Sequence, residues 1–420
     1  MLPLAFPAYV FAFIYLAINF EYSYLSWLPL QGQFWFLSFV LIMALSPYVF
    51  FFTNIGLRSI TRSEWETQLL LSGSFSKFFS SNVFPKTFPY LLSAQILVLF
   101  ECLSDFGAAA MVNVPVITTM IYKLWFDLFS FEGAVLLAIR YSLVIAVILL
   151  LEFLIRRNQR ETQSLQRDPF VTLKTNFFIQ LSLVTAFLCY LTLAFLLPVI
   201  QIGHWVFSSS INLQWASATD SFVKSFMMAS TVGVFVIILS LLLQAILYTH
   251  KKKPQVWNLI STVGYSVPGS ILAVSTYAIL IYLSPSLGAN LLLLGLIFAL
   301  TYKFLTVGMR PLSDKFQNIP RELFEISQVL KVSFVRQWFN MYWPYLRSGS
   351  FVAFFLVVIE VIKEMPLTLM LAPSGYQTLS IKIFNYTSEG EWEKAALPSL
   401  MLMVFGLVAV VFLEKSEDQL

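Results

Sequence analysis

Apolar runs of about 20 residues, long enough to cross the hydrocarbon core of a bilayer, alternate along this chain with shorter polar stretches. Ten such runs are predicted as membrane helices, at about 2–20, 34–54, 88–110, 133–155, 177–199, 225–248, 259–282, 290–308, 349–371 and 396–413. The polar stretches fall into two sets. Those at 57–87, 156–176, 249–258 and 309–348, with the C-terminal tail, hold most of the Lys and Arg. Arg58, Arg156, Arg157, Lys251, Lys252, Arg310 and Lys415 are among them. The loops of the other set hold only Lys123, Lys224, Lys382 and Lys394. Basic residues concentrate on the cytoplasmic side of membrane proteins. The first set is therefore expected to face the cytoplasm, with both termini inside. The expected fold is an all-α polytopic membrane protein of about ten transmembrane helices.

Composition agrees with this pattern. Of 420 residues, 58% are hydrophobic and 11% charged, against about 25% charged in soluble domains. The net charge of +4 is small, so the placement of charges matters more than their sum. Cys102 and Cys189 lie in apolar runs and are expected to be buried small hydrophobes instead of disulfide or metal sites. His204 and His250 are far apart and suggest no ligand cluster. The first basic residue is Arg58, so no signal peptide is expected. The chain begins inside an apolar segment: either a later helix pair orients the first, or the true start lies upstream.

An offset of 259 positions lays the chain on itself. "ETQLLLSGSFSKFFSSNVFP" (66–85) falls on "EISQVLKVSFVRQWFNMYWP" (325–344), with Glu on Glu, Pro on Pro and Ser74-Phe75 on Ser333-Phe334. Further on, Glu101 falls on Glu360, Asp105 on Glu364, Gly107 on Pro366, Thr119 on Thr378 and Lys123 on Lys382. Upstream, Pro7 pairs with Pro268 after a two-residue shift. Chance does not supply such a run of intramembrane charges. The chain is expected to be a tandem of two homologous halves in the same orientation. The first, 1–155, holds four spans and lacks two N-terminal ones. A cytoplasmic linker covers 156–176, and the second half, 177–420, holds six spans.

The two long cytoplasmic loops carry a spaced pattern. Glu325, Lys331 six residues on, and Met341-Tyr342-Trp343-Pro344 resemble the signature loop of ABC importer permeases, in which Glu-Ala-Ala, a glycine and Ile-x-Leu-Pro stand at this spacing. The first half repeats the frame with Glu66, Ser72 and Asn82-Val83-Phe84-Pro85. Departures are Thr67-Gln68 and Ile326-Ser327 for the alanines and Lys331 for the glycine, while Gly73 lies one place past the expected position. "ECLSDFGAAAMVNVPVITTMIYKLWF" (101–126) and "VIKEMPLTLMLAPSGYQTLSIKIFNYTSEGEWEKAALPSL" (361–400) resemble the two halves of fused ferric iron permeases. Thiamine permeases share that fused build.

The resemblance implies the membrane subunit of a type I ABC importer in a bacterial inner membrane. Its implied partners are an ABC ATPase subunit, as a homodimer, and an extracytoplasmic or periplasmic iron-binding protein. Nucleic acid is not among them. The chain holds no Gly-x4-Gly-Lys-Ser/Thr phosphate loop, so it is expected to be no enzyme and to carry no cofactor, with ATP and Mg on the ATPase. In the family the loop Glu fixes a docked helix and the loop Pro ends the segment before the next span. Those roles fall to Glu66, Pro85, Glu325 and Pro344. Phe334, Trp338, Phe339 and Met341 would supply the apolar docking face, flanked by Arg336 and Arg347.

Intramembrane acids are the other candidates. A charge at the bilayer centre costs about 2.5–3.5 kcal/mol on insertion scales. Glu101 and Asp105, like Glu360 and Glu364, stand at i, i+4, placing each pair on one helix face. Gly107 and Pro366 are expected to break the helices just after them. Hard trivalent iron prefers oxygen ligands, so one reading is a carboxylate-lined substrate path. The other is structural: Lys363 neutralises Glu360 or Glu364, and the acids lock the halves together. Arg140 and Lys303 are expected to be snorkelling or paired. A self-sufficient ion-coupled carrier using the same acids is the rival function, but it has no need of paired cytoplasmic loops.

Overall fold

The structure, a computed structural model, describes residues 2–21, 30, 32–61, 64, 66–67, 75–156, 176–208, 214–249, 263–284, 288–317, 319, 333, 336 and 338–417. Every regular element among the described residues is helical. Fifteen helices position the site, and we number them in chain order. α1 is Ala8–Glu21, α2 Phe34–Arg58, α3 Phe84–Ser104, α4 Gly107–Val112, α5 Ile117–Tyr122 and α6 Phe131–Arg156. α7 is Phe177–Leu191, α8 Leu197–Ser208, α9 Trp215–Thr249, α10 Gly269–Leu283 and α11 Ala289–Gln317. α12 is Trp343–Lys363, α13 Pro366–Leu371, α14 Leu379–Ser388 and α15 Trp392–Glu417.

Seven helical segments among the described residues are long and apolar enough to cross a membrane: Phe34–Arg58, Ser76–Ser104, Phe131–Leu154, Phe177–Phe207, Trp215–Ile246, Ala289–Ser313 and Trp343–Lys363. Ala8–Asn19 and Gly269–Leu283 are shorter apolar helices, and the run at 396–413 lies within α15. The protein is a multi-pass helical membrane protein. Its outer faces are those of a chain solvated by lipid tails. α7 has no buried residue, and Phe177 and Phe178 are exposed. An apolar face of this extent is not kept in contact with water. The core is aromatic and aliphatic, with Phe11, Phe13, Ile14, Trp205, Phe106 and Leu300 buried at its centre.

Several sequence expectations are corrected. The runs at 88–110 and 349–371 are broken as expected, but just before Gly107 and Pro366. α3 stops at Ser104 and α12 at Lys363, and α4 and α13 start after two non-helical residues. The run at 225–248 is part of a longer helix, α9, of 35 residues, about 52 Å at 1.5 Å per residue. Lys224, Lys382 and Lys394 lie within helices instead of loops, and Lys382 is buried with its ammonium on the Ser217 hydroxyl. Cys102 and Cys189 are free and exposed, not buried, because each sits on an outward helix face.

Element bounds recur along the chain. π turns at Phe79–Val83 and Trp338–Tyr342 lie 259 positions apart, as do α3 and α12, and α4 and α13. α2 and α11 end 259 positions apart, at Arg58 and Gln317. Packing recurs as well: α2 lies on α3 as α11 lies on α12, and α1 lies on α4 as α10 lies on α13. α10 also packs on α6, and α1 on α15.

The first of the two long loops is described only in part. Thr61 and Glu64 cap each other's backbone amides, and Glu64 pairs with Lys86 at 2.7 Å. The Lys86 ammonium holds the Glu64 carboxyl below its ordinary range. Glu66 follows in an exposed helical turn. Pro85 and Pro344 are exposed in the first turns of α3 and α12. Each follows on a π turn, Phe79–Val83 or Trp338–Tyr342, at the point where the loop segment passes into the long helix. Gly73, Glu325 and Lys331 lie outside the described residues, as does Phe334. Trp338 is half-buried and packs on Phe316 at 6.1 Å between ring centroids.

Candidate functional site

The breaks after α3 and α12 follow one local recipe. Asp105 and Glu364 are both extended, at φ −64°, ψ 128° and φ −68°, ψ 126°. Each leaves its helix and turns its carboxylate onto the first amides of the next. Asp105 accepts from the backbone N–H of Ala108 and Ala109, at 3.4 and 3.0 Å. Glu364 accepts from Leu367 and Thr368, at 3.0 and 3.1 Å. A helix start exposes unsatisfied N–H groups and partial positive charge, so a carboxylate stabilises it. The freed carbonyls are covered by hydroxyls. Thr118 donates to the Asp105 carbonyl at 2.6 Å, and Ser380 to that of Glu364 at 2.9 Å.

This corrects the expected geometry of the acids. The second member of each pair is off the helix, so Asp105 and Glu364 do not extend the face of Glu101 and Glu360. Gly107 and Pro366 open the next helices instead of ending the previous ones. Gly107 meets a packing demand too. A Cβ there would stand 2.9 Å from both Met365 Cε and Tyr9 Cβ.

All five residues expected on a substrate path, Glu101, Asp105, Glu360, Lys363 and Glu364, line one cavity of about 170 Å³. Six elements or their flanks close around it, from Pro7 and Tyr9, Tyr48, the ends of α3 and α12, Tyr265, and Lys303. The first acid of each pair lies in the helix before the break and the second at the break. Lys303 of α11 approaches Glu364 Oε1 at 3.3 Å. Only 11% of the Lys303 side chain and 2% of the Glu364 side chain are exposed. A charge this dry is tolerated only when paired and hydrogen-bonded, and Glu364 has two amides and an ammonium. Tyr265 donates to Glu101 Oε1 at 2.5 Å. Among the described residues, no three His, Cys, Asp or Glu side chains come together to hold a metal ion.

Some of these groups leave no mark in the sequence pattern. Tyr9, Tyr48 and Tyr265 are ordinary aromatics in an aromatic-rich chain, and only Pro7 and Pro268 drew notice, each a few residues away. Lys303 stood out as an intramembrane cation expected to be snorkelling or paired. It is paired, and its partner is 61 residues away. Arg140 is exposed on α6 and lies outside the cavity.

No family model matches the chain. The Fe(3+)-transport system permease protein FbpB 2 of Haemophilus influenzae is 23% identical to it over 432 aligned positions, which cover 99% of this chain and 81% of the relative. The resemblance to ferric iron ABC permeases, first carried by the motifs at 101–126 and 361–400, therefore holds over nearly the whole chain.

Proposed function

We propose that the chain is the membrane-spanning permease of an ABC importer that moves ferric iron from an extracytoplasmic binding protein into the cytoplasm. ATP is hydrolysed on a separate ATPase. The end-to-end similarity to an Fe(3+)-transport permease carries this reading. The cavity supports it, since oxygen donors suit a hard trivalent cation and four carboxylates line it. The chain is read as two parallel halves, 1–155 and 177–420, and the recurring helix bounds, packing pairs and carboxylate caps favour that reading. Ten spans, with both termini and the long loops in the cytoplasm, follow from the placement of Lys and Arg.

The ATPase is proposed to dock on the two loops, with Glu66, Gly73 and Pro85 in one and Glu325, Lys331 and Pro344 in the other. Glu101, Asp105, Glu360, Lys363 and Glu364 are proposed to line the route of the cargo. Co-expression with the ATPase and binding protein tests the coupling. Glu325→Ala with Pro344→Ala should abolish co-purification of the ATPase and uptake of radioactive ferric iron, while the chain still reaches the membrane. Uptake at the wild-type level would overturn the docking role. Uptake of thiamine in place of iron would overturn the substrate.

A further inference from the structure

Beside the Lys303–Glu364 pair stands Tyr9. It is 4% exposed, and its hydroxyl makes no hydrogen bond to the protein while it lines the same cavity. A buried hydroxyl without a partner is costly. The cavity beside it is lined by Glu101, Asp105, Glu360 and Glu364, oxygen donors of the kind a hard cation takes. Yet one of those acids is already engaged by a cation of the protein's own. The backbone makes room for it at Gly269, where a Cβ would stand 2.5 Å from Glu364 Oε1 and 3.1 Å from Lys303 Nζ. Any side chain there would crowd the pair.

We propose that Lys303 is the resident counter-cation of this cavity, and that a multivalent cation entering it competes with the Lys303 ammonium for Glu364. The proposal rests on the reading of the cavity as a cation path. Lys303 is suited to the exchange. Its ammonium is a compact point charge on a flexible four-carbon stem, and it makes one ion pair with Glu364 at 3.3 Å, not a bidentate one. An ammonium and a trivalent ion within a few ångströms of each other repel strongly where water is scarce. The two therefore do not share Glu364: the incoming ion takes the carboxylate and the ammonium withdraws. Between cargoes, Lys303 returns, keeps the buried acid neutralised and ties α11 to the start of α13.

Terbium(III) is the probe, since nearby tyrosines sensitise its luminescence and Tyr9, Tyr48 and Tyr265 line the cavity. The purified full-length chain is titrated with terbium chloride. Lys303→Met should bind it about tenfold more tightly than wild type, the gain of one unopposed buried charge. Adding Glu364→Gln should remove that gain. Lys303→Arg keeps the charge and so protects folding, and its fork can grip the carboxylate at two points. It should bind terbium several-fold more weakly than wild type. Wild-type affinity in either folded single variant overturns the proposal, and if the Met variant does not fold, the Arg variant decides. Failure of the iron reading has a different signature: the terbium pattern stands, but the wild-type chain imports no ferric iron.

Discussion

Glu364 and Glu101 hold the cavity together through two long-range contacts between side chains. Glu364 reaches across 61 residues to Lys303, and Glu101 across 164 to Tyr265. A hydrogen bond to a charged group contributes about 1.5–3 kcal/mol. Tyr265→Phe keeps the ring and removes only the donor, so it should lower thermal stability by about that much, read as a drop in melting temperature of the purified chain. An unchanged melting temperature would show that the contact contributes nothing. At this scale the acids were legible in the sequence as charges inside apolar runs. Their partners were not, because nothing local marks which distant tyrosine or lysine meets them. Lys363, adjacent in the chain, was expected to neutralise Glu360 or Glu364; what no local signal marked is that the distant Lys303 also stands 3.3 Å from Glu364.

At the scale of elements, α4 and α13 depend on carboxylates from the residues just before them. Both helices are six residues long, too short to be stable alone, so capping and packing must fix them. Asp105→Ala removes the acceptor of two amides. Loss of a cap costs about 0.5–2 kcal/mol, and it should appear locally. Hydrogen exchange at Ala108 and Ala109 should quicken while exchange in α9 stays as it was. Unaltered protection of both amides would show that packing against α1 suffices. The helix breaks themselves were foreseeable from Gly107 and Pro366, which punctuate otherwise continuous apolar runs. Their position was shifted by two residues, because a side chain that satisfies the next helix draws the acid out of its own. The lengthening of α9 to Trp215 was hidden, since polar residues such as Asp220 and Lys224 read as loop and instead pair with each other at 2.7 Å along the helix.

On the scale of the whole molecule, seven of the ten apolar runs fall on helices long and apolar enough to cross a bilayer, because length and hydropathy are what a bilayer demands. The 259-residue offset found in the sequence is echoed by helix ends, π turns and caps. What periodicity withheld was the convergence of both helix breaks on one cavity, which is a property of packing between distant helices. The central claim is that this acid-lined cavity is the route of ferric iron. Its most direct test is ATP-dependent uptake of radioactive ferric iron into proteoliposomes holding this chain with its ATPase and binding protein, comparing wild type with Glu101→Gln plus Glu360→Gln. The account predicts that uptake is abolished in the double variant while the ATPase still co-purifies with it. Uptake at the wild-type rate would contradict it, and loss of the ATPase together with uptake would assign the acids to assembly instead of transport.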